Sequence, residues 1–520
     1  MPERHIARRL VVALTLGSLL AAGCTFVRQV TRDVNGNDGN ATSSRPRLDN
    51  DGGYLTFQSD ASNLVTGDTN GVTDVFKVDT MTGHLERPSV ASDGTQGNGP
   101  SRNPGIDCCG GYIVFESDAT NLVPGDTNGH TDVFVHSQIT KQTMLVSVAS
   151  GGGPADGDST APVISSDGKW IAFESTATNI VSGVSGHQIY ARQWQTNGPA
   201  VLVSTSSCTN GVATGGNGVS TGPHISQFGT AITFTSTSSD FASDPGNGAP
   251  NAYVAPVGGC SAANVPSLVG LDTTSQVLAG GSAATSIDGD GQVVAYDGLK
   301  NPCSGSDPCP APVDVYVRNR TTATSRRMNA AGIASAGGSL NGSGTMIAYQ
   351  SAWPNVVGQV AVVATVATGA TRVVSSDAGG HPRAVAPVVD ASADGPVLNR
   401  FTGYMAYAAP GGSTTPQVFV QTTQPPPTVS GVSPSPVARG TTDATLTVSG
   451  AGFVSGATVY PPAGVSADST TFVNSSTLQV HVHVAVDAPT GAGDVVVAVP
   501  GELGLTSGSA GSCHACLTVT

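Results

Sequence analysis

A stretch of 23 residues that occurs twice constrains the fold of this chain more than any other feature. Residues 54–76 read YLTFQSDASNLVTGDTNGVTDVF and residues 112–134 read YIVFESDATNLVPGDTNGHTDVF, so the second copy begins 58 residues after the first. A unit with such a period cannot bury its own apolar face and must stack on its neighbours. The duplication therefore predicts a repeat architecture.

Seven units share an apolar strand that ends in an aromatic residue, and a second strand follows each one. The seven aromatic strands end at Phe57, Phe115, Phe173, Phe234, Tyr296, Tyr349 and Tyr407. A short run precedes each aromatic strand, and most units continue with a further strand such as MLVSVAS (144–150). Four strands per unit at a spacing of 53–62 residues predict an all-β fold with a seven-bladed β-propeller. Six or eight blades remain open, because the fourth to sixth units diverge.

The two ends of the repeat region complement each other. The seventh unit stops after QVFVQTTQ (417–424) and lacks an outer strand, whereas the outer-strand-like run FVRQVTRDVNGNDG (26–39) precedes the first unit. A propeller that borrows a strand from its opposite terminus leaves no free sheet edge. We therefore expect strand 26–36 to close a propeller domain that spans residues 26–424.

One run within the third unit carries a resemblance to a known family. Residues 165–175 read SSDGKWIAFES, which resembles the S-x-DG-x-x-IAF-x-S hallmark of the TolB-type, WD40-like (PD40) propeller repeats. The resemblance covers about residues 26–424 and implies the fold. It says little about activity, because that family includes binding scaffolds, lyases and the gating domains of peptidases.

A proline run at residues 424–427 separates a C-terminal region, 427–520, with alternating strands at sandwich spacing. This region resembles the IPT/TIG immunoglobulin-like family through Val432-Ser433-Pro434 and the run TVSGAGF at 447–453. The resemblance implies an Ig-like β-sandwich that acts as a spacer or interaction module.

The N-terminus predicts export. Arg4, Arg8 and Arg9 precede a short apolar run that ends Leu-Ala-Ala-Gly-Cys at Cys24, so residues 1–24 resemble a bacterial lipoprotein signal with Cys24 as the lipidated residue. A plain secretory signal is the alternative. We expect a protein at the cell surface or in the periplasm, held to a membrane through the lipid anchor only. A net charge of -14 argues against a nucleic-acid partner.

The eight cysteines that remain after Cys24 favour disulfides in an exported chain. Nearest-neighbour pairing joins Cys208 to Cys260, Cys303 to Cys309 and Cys513 to Cys516. Cys108 and Cys109 are adjacent, and they require either a vicinal bridge or other partners.

The strongest polar motif lies in the duplicated stretch, where both copies share the spacing D-x-N-G-x-x-D. Its members are Asp68, Asn70 and Asp74 in the first copy and Asp126, Asn128 and Asp132 in the second. Alternate oxygen ligands with a glycine that permits a sharp bend suit a calcium loop. Asx-turns use the same residue types for backbone reasons alone, so calcium and a structural turn both remain open.

Two functions fit these features. The first is a non-catalytic binding or scaffold protein of the cell envelope that engages a protein or a polysaccharide through propeller loops. The second is a polysaccharide hydrolase or lyase with its site at the propeller channel, where histidines from different units converge on a metal. Those histidines are His130, His136, His187, His224 and His381.

Overall fold

The computed structural model forms two compact units, of which one spans Val27–Thr423 and the other contains residues 424–520. The described residues are 27–80, 82–241, 247–298, 314–330, 333–352, 359–375, 385, 396–399, 404–410, 415–422, 428–453, 457–498 and 510–520. The signal segment with Cys24 lies outside them, as do Cys303, Cys309 and His381.

The described part of the first unit consists of a short strand, β1 (Val27–Gln29), and seven successive antiparallel sheets. The first sheet contains β2 (Ser43–Leu48), β3 (Tyr54–Ser59), β4 (Asp74–Asp79) and β5 (Leu85–Glu86). The second contains β6 (Ser101–Ile106), β7 (Tyr112–Ser117), β8 (Asp132–Ser137) and β9 (Thr143–Leu145). The third contains β10 (Ser159–Ile164), β11 (Trp170–Ser175), β12 (Gln188–Gln193) and β13 (Ala200–Leu202). A hairpin follows, made of β14 (Thr205–Thr209) and β15 (Val212–Gly215).

The remaining four sheets follow the same order. The fourth sheet contains β16 (Ser220–Ile225), β17 (Ala231–Ser236), β18 (Asn251–Pro256) and β19 (Ser267–Leu268), and the fifth contains β20 (Ser282–Ile287), β21 (Val293–Gly298), β22 (Asp314–Asn319) and β23 (Thr324–Arg327). The sixth contains β24 (Ser335–Leu340), β25 (Met346–Ala352), β26 (Gln359–Thr365) and β27 (Thr371–Val373). The seventh contains β28 (Val397–Leu398), β29 (Tyr404–Pro410) and β30 (Pro416–Thr422), and β30 pairs with β1. Within the described ranges, two single-turn 3₁₀ helices, Trp194–Thr196 and Ala262–Asn264, lie in the connections.

The aromatic residue that ends each apolar strand lies inside its sheet beside the strand that follows. Phe57 pairs across the ladder with Phe76, and their rings stack at 5.6 Å. Phe115 and Phe134 repeat the arrangement at 5.9 Å in the second sheet. Such cross-strand aromatic pairs stabilise a sheet beyond the apolar area that they bury.

Consecutive sheets contact each other through the turn between their first two strands. Gly110 in the second sheet lies against the ring of Tyr54 in the first, and Gly168 in the third lies against Tyr112 in the second. The backbones of these turns also bond to one another, since Cys108 N donates to Ser166 O at 2.9 Å. The same relationship joins the last sheet to the first, where Gly52 lies against Tyr404.

The N-terminal strand completes the seventh sheet. In β1, Val27 pairs with Gln421 and Gln29 with Phe419, antiparallel to β30. Thr31, fully buried just beyond β1, donates its hydroxyl to Gln417 Oε1 at 2.6 Å. The strand ends at Gln29 rather than at residue 36, because Asp33 draws the chain into a turn by accepting the Asn35 and Asn37 N–H groups, each at 2.8 Å. With successive sheets packed side by side in this order, the unit is a β-propeller.

The fourth strands are also shorter than the sequence indicates. MLVSVAS (144–150) contributes only its first two residues to β9. The chain leaves the ladder because Ser147 turns inward, where its Oγ accepts Val133 N at 3.0 Å and donates to Asp132 Oδ1 at 2.5 Å.

The C-terminal unit contains two sheets whose apolar side chains form one core. A four-stranded sheet has the order β31 (Thr428–Ser433), β32 (Ala444–Ala451), β35 (Thr477–Val484), β34 (Val465–Asn474). A three-stranded sheet has the order β33 (Thr458–Tyr460), β36 (Gly491–Ala498), β37 (Ala510–Val519). Phe453, Leu478 and Leu517 lie buried within the shared core.

Candidate functional sites

The long loops of the first two sheets share one end of the propeller with the crossovers to the next sheet. We call this end the loop face; it comprises loops 60–73 and 118–131 and crossovers 92–100 and 150–158. Gln96 of the first crossover accepts the N–H groups of Thr69 and Asn70, both at 3.2 Å, and donates to Gly67 O at 2.6 Å. Loop 60–73 and crossover 92–100 are therefore held side by side.

Each loop is also fastened to itself. Thr73 Oγ1 donates to Asp60 Oδ1 at 2.6 Å, and Thr131 makes the same bond to Asp118, also at 2.6 Å. The backbone N–H of Ala61 bonds to Ser59 Oγ at 3.1 Å, which fixes the start of the first loop. These bonds hold the two ends of each loop close together where it leaves and re-enters its sheet.

The two asparagines of the D-x-N-G-x-x-D motif act as donors. Asn70 Nδ2 lies 3.0 Å from Asp74 Oδ2 and 3.2 Å from Gly97 O. Asn128 Nδ2 repeats both contacts, at 2.7 Å from Asp132 Oδ2 and 2.9 Å from Ala155 O. The amide of each asparagine thus ties its loop to the crossover. The group that it places next to the aspartate carboxylate is its N–H, not its oxygen, so it is not oriented as a cation ligand there. This geometry is that of a structural turn at the asparagine position.

In the first copy, an arginine of the same sheet lies between the two carboxylates. Arg87 Nη1 is 2.9 Å from Asp68 Oδ1 and 3.2 Å from Asp74 Oδ2. All three side chains are at most about a tenth exposed. Burial raises the pKa of Asp68, and the guanidinium opposes that shift. The first copy therefore contains its own cation.

The second copy differs at one decisive position, because Leu145 stands 58 residues after Arg87. Asp126 and Asp132 are both buried, at 6% and 0% exposure. Asp126 Oδ1 is a buried oxygen without a hydrogen-bond partner. Burial, opposed by the hydroxyl of Ser147, raises the pKa of Asp132 to about 6, and the charge of Asp126 adds to the rise.

A polar cavity of about 270 Å³ lies among the first strands of the first four sheets. Its charged and ionisable lining residues are Arg45, Arg47, Glu116, Glu174 and His224. Each of these first strands contains a bulge. Because the first strands are the innermost ones, this cavity belongs to the central channel.

The two glutamates of the cavity are bonded to the neighbouring sheet. Glu116 Oε2 accepts the N–H of Ala161 at 2.8 Å, and Glu174 Oε2 accepts that of Gly222 at 2.9 Å. The equivalent residues Gln58 and Thr235 accept the same kind of bond. Since uncharged side chains accept the same bond, its role in all four places is to join neighbouring sheets.

The histidines proposed for a metal do not converge among the described residues. His130 Nδ1 lies 3.0 Å from Asp158 on the loop face, whereas His136 is buried within the second sheet, 2.8 Å from Thr143 Oγ1. His187 approaches Glu174 at 3.7 Å, and His224 lines the cavity. Over the described ranges, no three His, Cys, Asp or Glu side chains come close enough to share a metal ion.

The described residues of the first unit form two disulfides. Cys208 of β14 is bonded to Cys260, with Cα atoms 5.5 Å apart, so the hairpin is joined to the fourth sheet. Cys108 and Cys109 form a vicinal disulfide in the turn between β6 and β7. Cys516 of β37 is disulfide-bonded, and Cys513 belongs to the same strand.

Sequence reasoning missed Gln96 and Arg87, which organise the first loop. Arg87 was detectable, because aligning the two copies beyond residue 76 sets Arg87 against Leu145. Gln96 carried no such signal, since its role depends on a turn that brings the crossover back to the loop.

Comparisons with known proteins agree with a propeller and go no further. No protein-family model matches the chain, and a search among curated proteins finds no match. Among solved structures, an oligogalacturonate lyase in complex with manganese is similar at a TM-score of 0.48 and 11% identity, covering 76% of this chain and 93% of the lyase. TolB from Acinetobacter baumannii is similar at a TM-score of 0.35 and 15% identity, and the match covers 67% of this chain and 66% of TolB.

The β-propeller domain of the Trilobed protease from Pyrococcus furiosus is similar at a TM-score of 0.45 and 8% identity, over 74% of this chain and 94% of that domain. Similarities at this level carry no argument about activity. The fold assignment rests on the strand order given above. Among the described residues, no helix has the length and apolar character needed to cross a membrane.

Proposed function

We propose that the chain is a non-catalytic binding protein of the bacterial cell envelope that engages a polysaccharide or a protein through its loop face. The observation that carries the proposal is the fastening of the long loops to the crossovers, through Gln96 in the first repeat and Asn128 in the second. Loops held in one conformation before a partner arrives lose little conformational entropy on binding. A rigid scaffold that positions such loops is a common basis for recognition.

The chemistry of the loop face favours a polysaccharide over a protein. Ser62, Thr66, Thr69, Thr120 and Thr127 are exposed there. Of the large apolar side chains that the described residues expose, none lies in loops 60–73 or 118–131. Hydroxyl and amide groups in fixed positions match the hydrogen-bonding groups of sugars, whereas the cores of protein interfaces are richer in aromatic residues.

The rest of the chain would hold and present this face. The seven sheets support a seven-bladed propeller, and the two sheets of residues 428–520 support an Ig-like spacer of the IPT/TIG kind. In the proposal, residues 1–24 direct export and Cys24 carries the lipid anchor, so the loop face would meet polymers of the envelope.

Co-sedimentation with purified peptidoglycan sacculi and a glycan array together test the proposal. Thr66 and Thr127 are exposed, and no hydrogen bond of their side chains is described, so Thr66→Glu with Thr127→Glu should reduce binding at least about tenfold without unfolding the protein. Thr140→Glu is the matched control, because Thr140 is an exposed threonine in a turn at the opposite end of the same sheet. Equal binding by both variants and the parent chain would refute the loop face as the binding surface.

A polysaccharide hydrolase or lyase is the second candidate, favoured by the polar channel cavity of about 270 Å³ with Arg45 and Arg47 in its lining. Two guanidinium groups beside carboxylates suit an acidic sugar. Turnover of acidic oligosaccharides that is lost in Arg47→Ala and kept in the Thr66→Glu, Thr127→Glu variant would favour this candidate. Binding without turnover, unaffected by Arg47→Ala, would favour the binding protein.

A further inference from the structure

The seven sheets provide an internal comparison at the third-strand residue that pairs with the position two residues after the aromatic one. This residue is a carboxylate in three sheets, an amide in three and a valine in one: Asp74, Asp132 and Asp314; Gln188, Asn251 and Gln417; and Val360. The side-chain oxygen of Gln417 accepts a hydrogen bond from the Thr31 hydroxyl, and because the amide is neutral it needs no cation beside it.

Two of the three carboxylates have an arginine of their own sheet beside them. Arg87 Nη1 lies 3.2 Å from Asp74, and Arg327 Nη1 lies 3.8 Å from Asp314. The two arginines hold equivalent places, each two residues before the side chain that bonds the carboxylate, which is Ser89 in the first sheet and Asn329 in the fifth. Of the three sheets that carry a carboxylate at this position, the first and the fifth therefore have an arginine beside it and the second does not.

The second sheet keeps both acids and lacks the arginine. Leu145 occupies the equivalent place, two residues before Ser147, which donates to Asp132 Oδ1 at 2.5 Å. Within the described structure, neither Asp126 nor Asp132 has an ion pair with a lysine or arginine. Asp126 is more than nine-tenths buried, yet its Oδ1 has no hydrogen-bond partner. A buried, unpartnered carboxylate oxygen beside a second buried carboxylate is costly without a cation.

We propose that Asp126 and Asp132 bind a calcium ion from solvent at the position that the guanidinium of Arg87 occupies in the first copy. In that copy, Asp68 and Asp74 oxygens converge on one nitrogen at 2.9 and 3.2 Å, so the backbone of this loop directs two carboxylates to one point. Calcium accepts carboxylate oxygens with water in its remaining positions and tolerates irregular geometry. Thr127 and Gly129 of the same loop are exposed, so this loop is the route by which an ion would reach the pair from solvent.

Asn128 has a supporting role in this site. Its Nδ2 donates to Asp132 Oδ2 at 2.7 Å and to Ala155 O at 2.9 Å, so it orients the carboxylate and is not a ligand. His130 and Asp158 lie nearby and are bonded to each other at 3.0 Å. The ligand set is thus two carboxylates and water, smaller than that of an EF-hand, and millimolar to micromolar affinity is expected.

Isothermal titration of calcium chloride into the chelator-treated full chain tests the proposal, with thermal melting as a second readout. The parent chain should bind one ion at this site and melt at least about 2 °C higher at a hundredfold excess over Kd. Leu145→Arg supplies the internal cation and should abolish that binding and the calcium-dependent shift. Arg87→Leu should create a second site in the first copy.

Asp126→Asn provides a variant that keeps the apolar packing of Leu145, and it should weaken calcium binding at least about tenfold. If neither heat nor a melting shift appears up to about 10 mM calcium, a concentration above the Kd of the weakest calcium modules, the proposal is wrong. Calcium binding that Leu145→Arg and Asp126→Asn leave unchanged would overturn it as well, because the ion would then bind elsewhere. A melting temperature that rises on acidification and ignores calcium would show that a proton, not a metal ion, neutralises the pair.

Discussion

The ring of Tyr404, in the last sheet of the propeller, lies directly over Gly52 in the first. A Cβ at Gly52 would be 2.5 Å from Tyr404 Cδ2, closer than atoms can approach without displacement. The same contact joins Tyr54 to Gly110 and Tyr112 to Gly168. One packing relationship between sheets therefore repeats around the propeller and also joins its first and last sheets.

Gly52→Ala should destabilise the protein by about 2–4 kcal/mol, because the methyl group collides with Tyr404 and the backbone is held at a φ of +76°. Gly67→Ala is the matched control, since Gly67 has a φ of +79° and open space around it. The control should cost only about 1 kcal/mol. Urea unfolding of both variants measures the difference, and equal losses would contradict the packing between Gly52 and Tyr404.

Thr31→Val should cost about 1–3 kcal/mol in the free energy of unfolding, because it removes the buried hydroxyl that bonds Gln417 at 2.6 Å. The change is nearly isosteric, so the loss reports the hydrogen bond between the two ends of the propeller. Thr127→Val, at an exposed position, should change stability by less than about 0.5 kcal/mol. If chemical denaturation finds the two variants alike, the N-terminal strand does not close the ring as described.

Replacing Cys208 and Cys260 with serine should destabilise the protein by about 2–4 kcal/mol, because the disulfide spans 52 residues and restricts the unfolded chain. The vicinal pair Cys108–Cys109 closes almost no loop. Its double serine variant should therefore have a much smaller effect in the same denaturation experiment. A larger loss from the vicinal pair would show that loop closure is not the main contribution.

Asp297 should make a contribution to stability that is lost as the pH rises from about 4 to about 7. Its carboxyl is fully buried, and burial raises its pKa from 3.8 to about 7 against the N–H groups of Gly337 and Gly338. Below about pH 4 the acid is neutral in both states, so the full stability is present; as the pH rises to about 7, only the unfolded chain ionises readily, and stability is lost.

The Asp297→Asn variant isolates this effect. Its free energy of unfolding should depend less steeply on pH across that interval than that of the parent chain. Identical slopes from denaturant titrations at half-unit pH steps would contradict the assignment of the raised pKa to Asp297.

Much of the propeller could be predicted from sequence, because each repeat carries its own local signal. An apolar strand that ends in Phe or Tyr recurs at each predicted position, and the spare strand near residue 26 matches the missing one after residue 424. The extent of β1 and of the fourth strands could not be predicted. Their ends depend on inward hydroxyls such as Thr31 and Ser147, whose bonds form only once the sheets exist.

The candidate site was predictable in position and not in chemistry. Spacing placed Asp68 and Asp74 in one motif, and both carboxylates contact Arg87. Aligning the two copies reveals the difference between Arg87 and Leu145, but the spacing of the motif does not place Arg87 between the carboxylates. That arginine follows on another strand, so its contact with the loop is tertiary. The asparagine of each motif illustrates the same limit, since its side chain can present either oxygen or N–H, and the crossover carbonyl selects the N–H.

Hydrogen–deuterium exchange of the full chain with and without a bound polysaccharide tests the central claim most directly, because it locates the contact surface. Binding through the loop face should slow exchange in residues 60–73, 118–131 and their crossovers, and should leave the channel strands around Arg47 and His224 unchanged. Protection confined to the channel strands, or to the turns at the opposite end of the propeller, would contradict the proposed function.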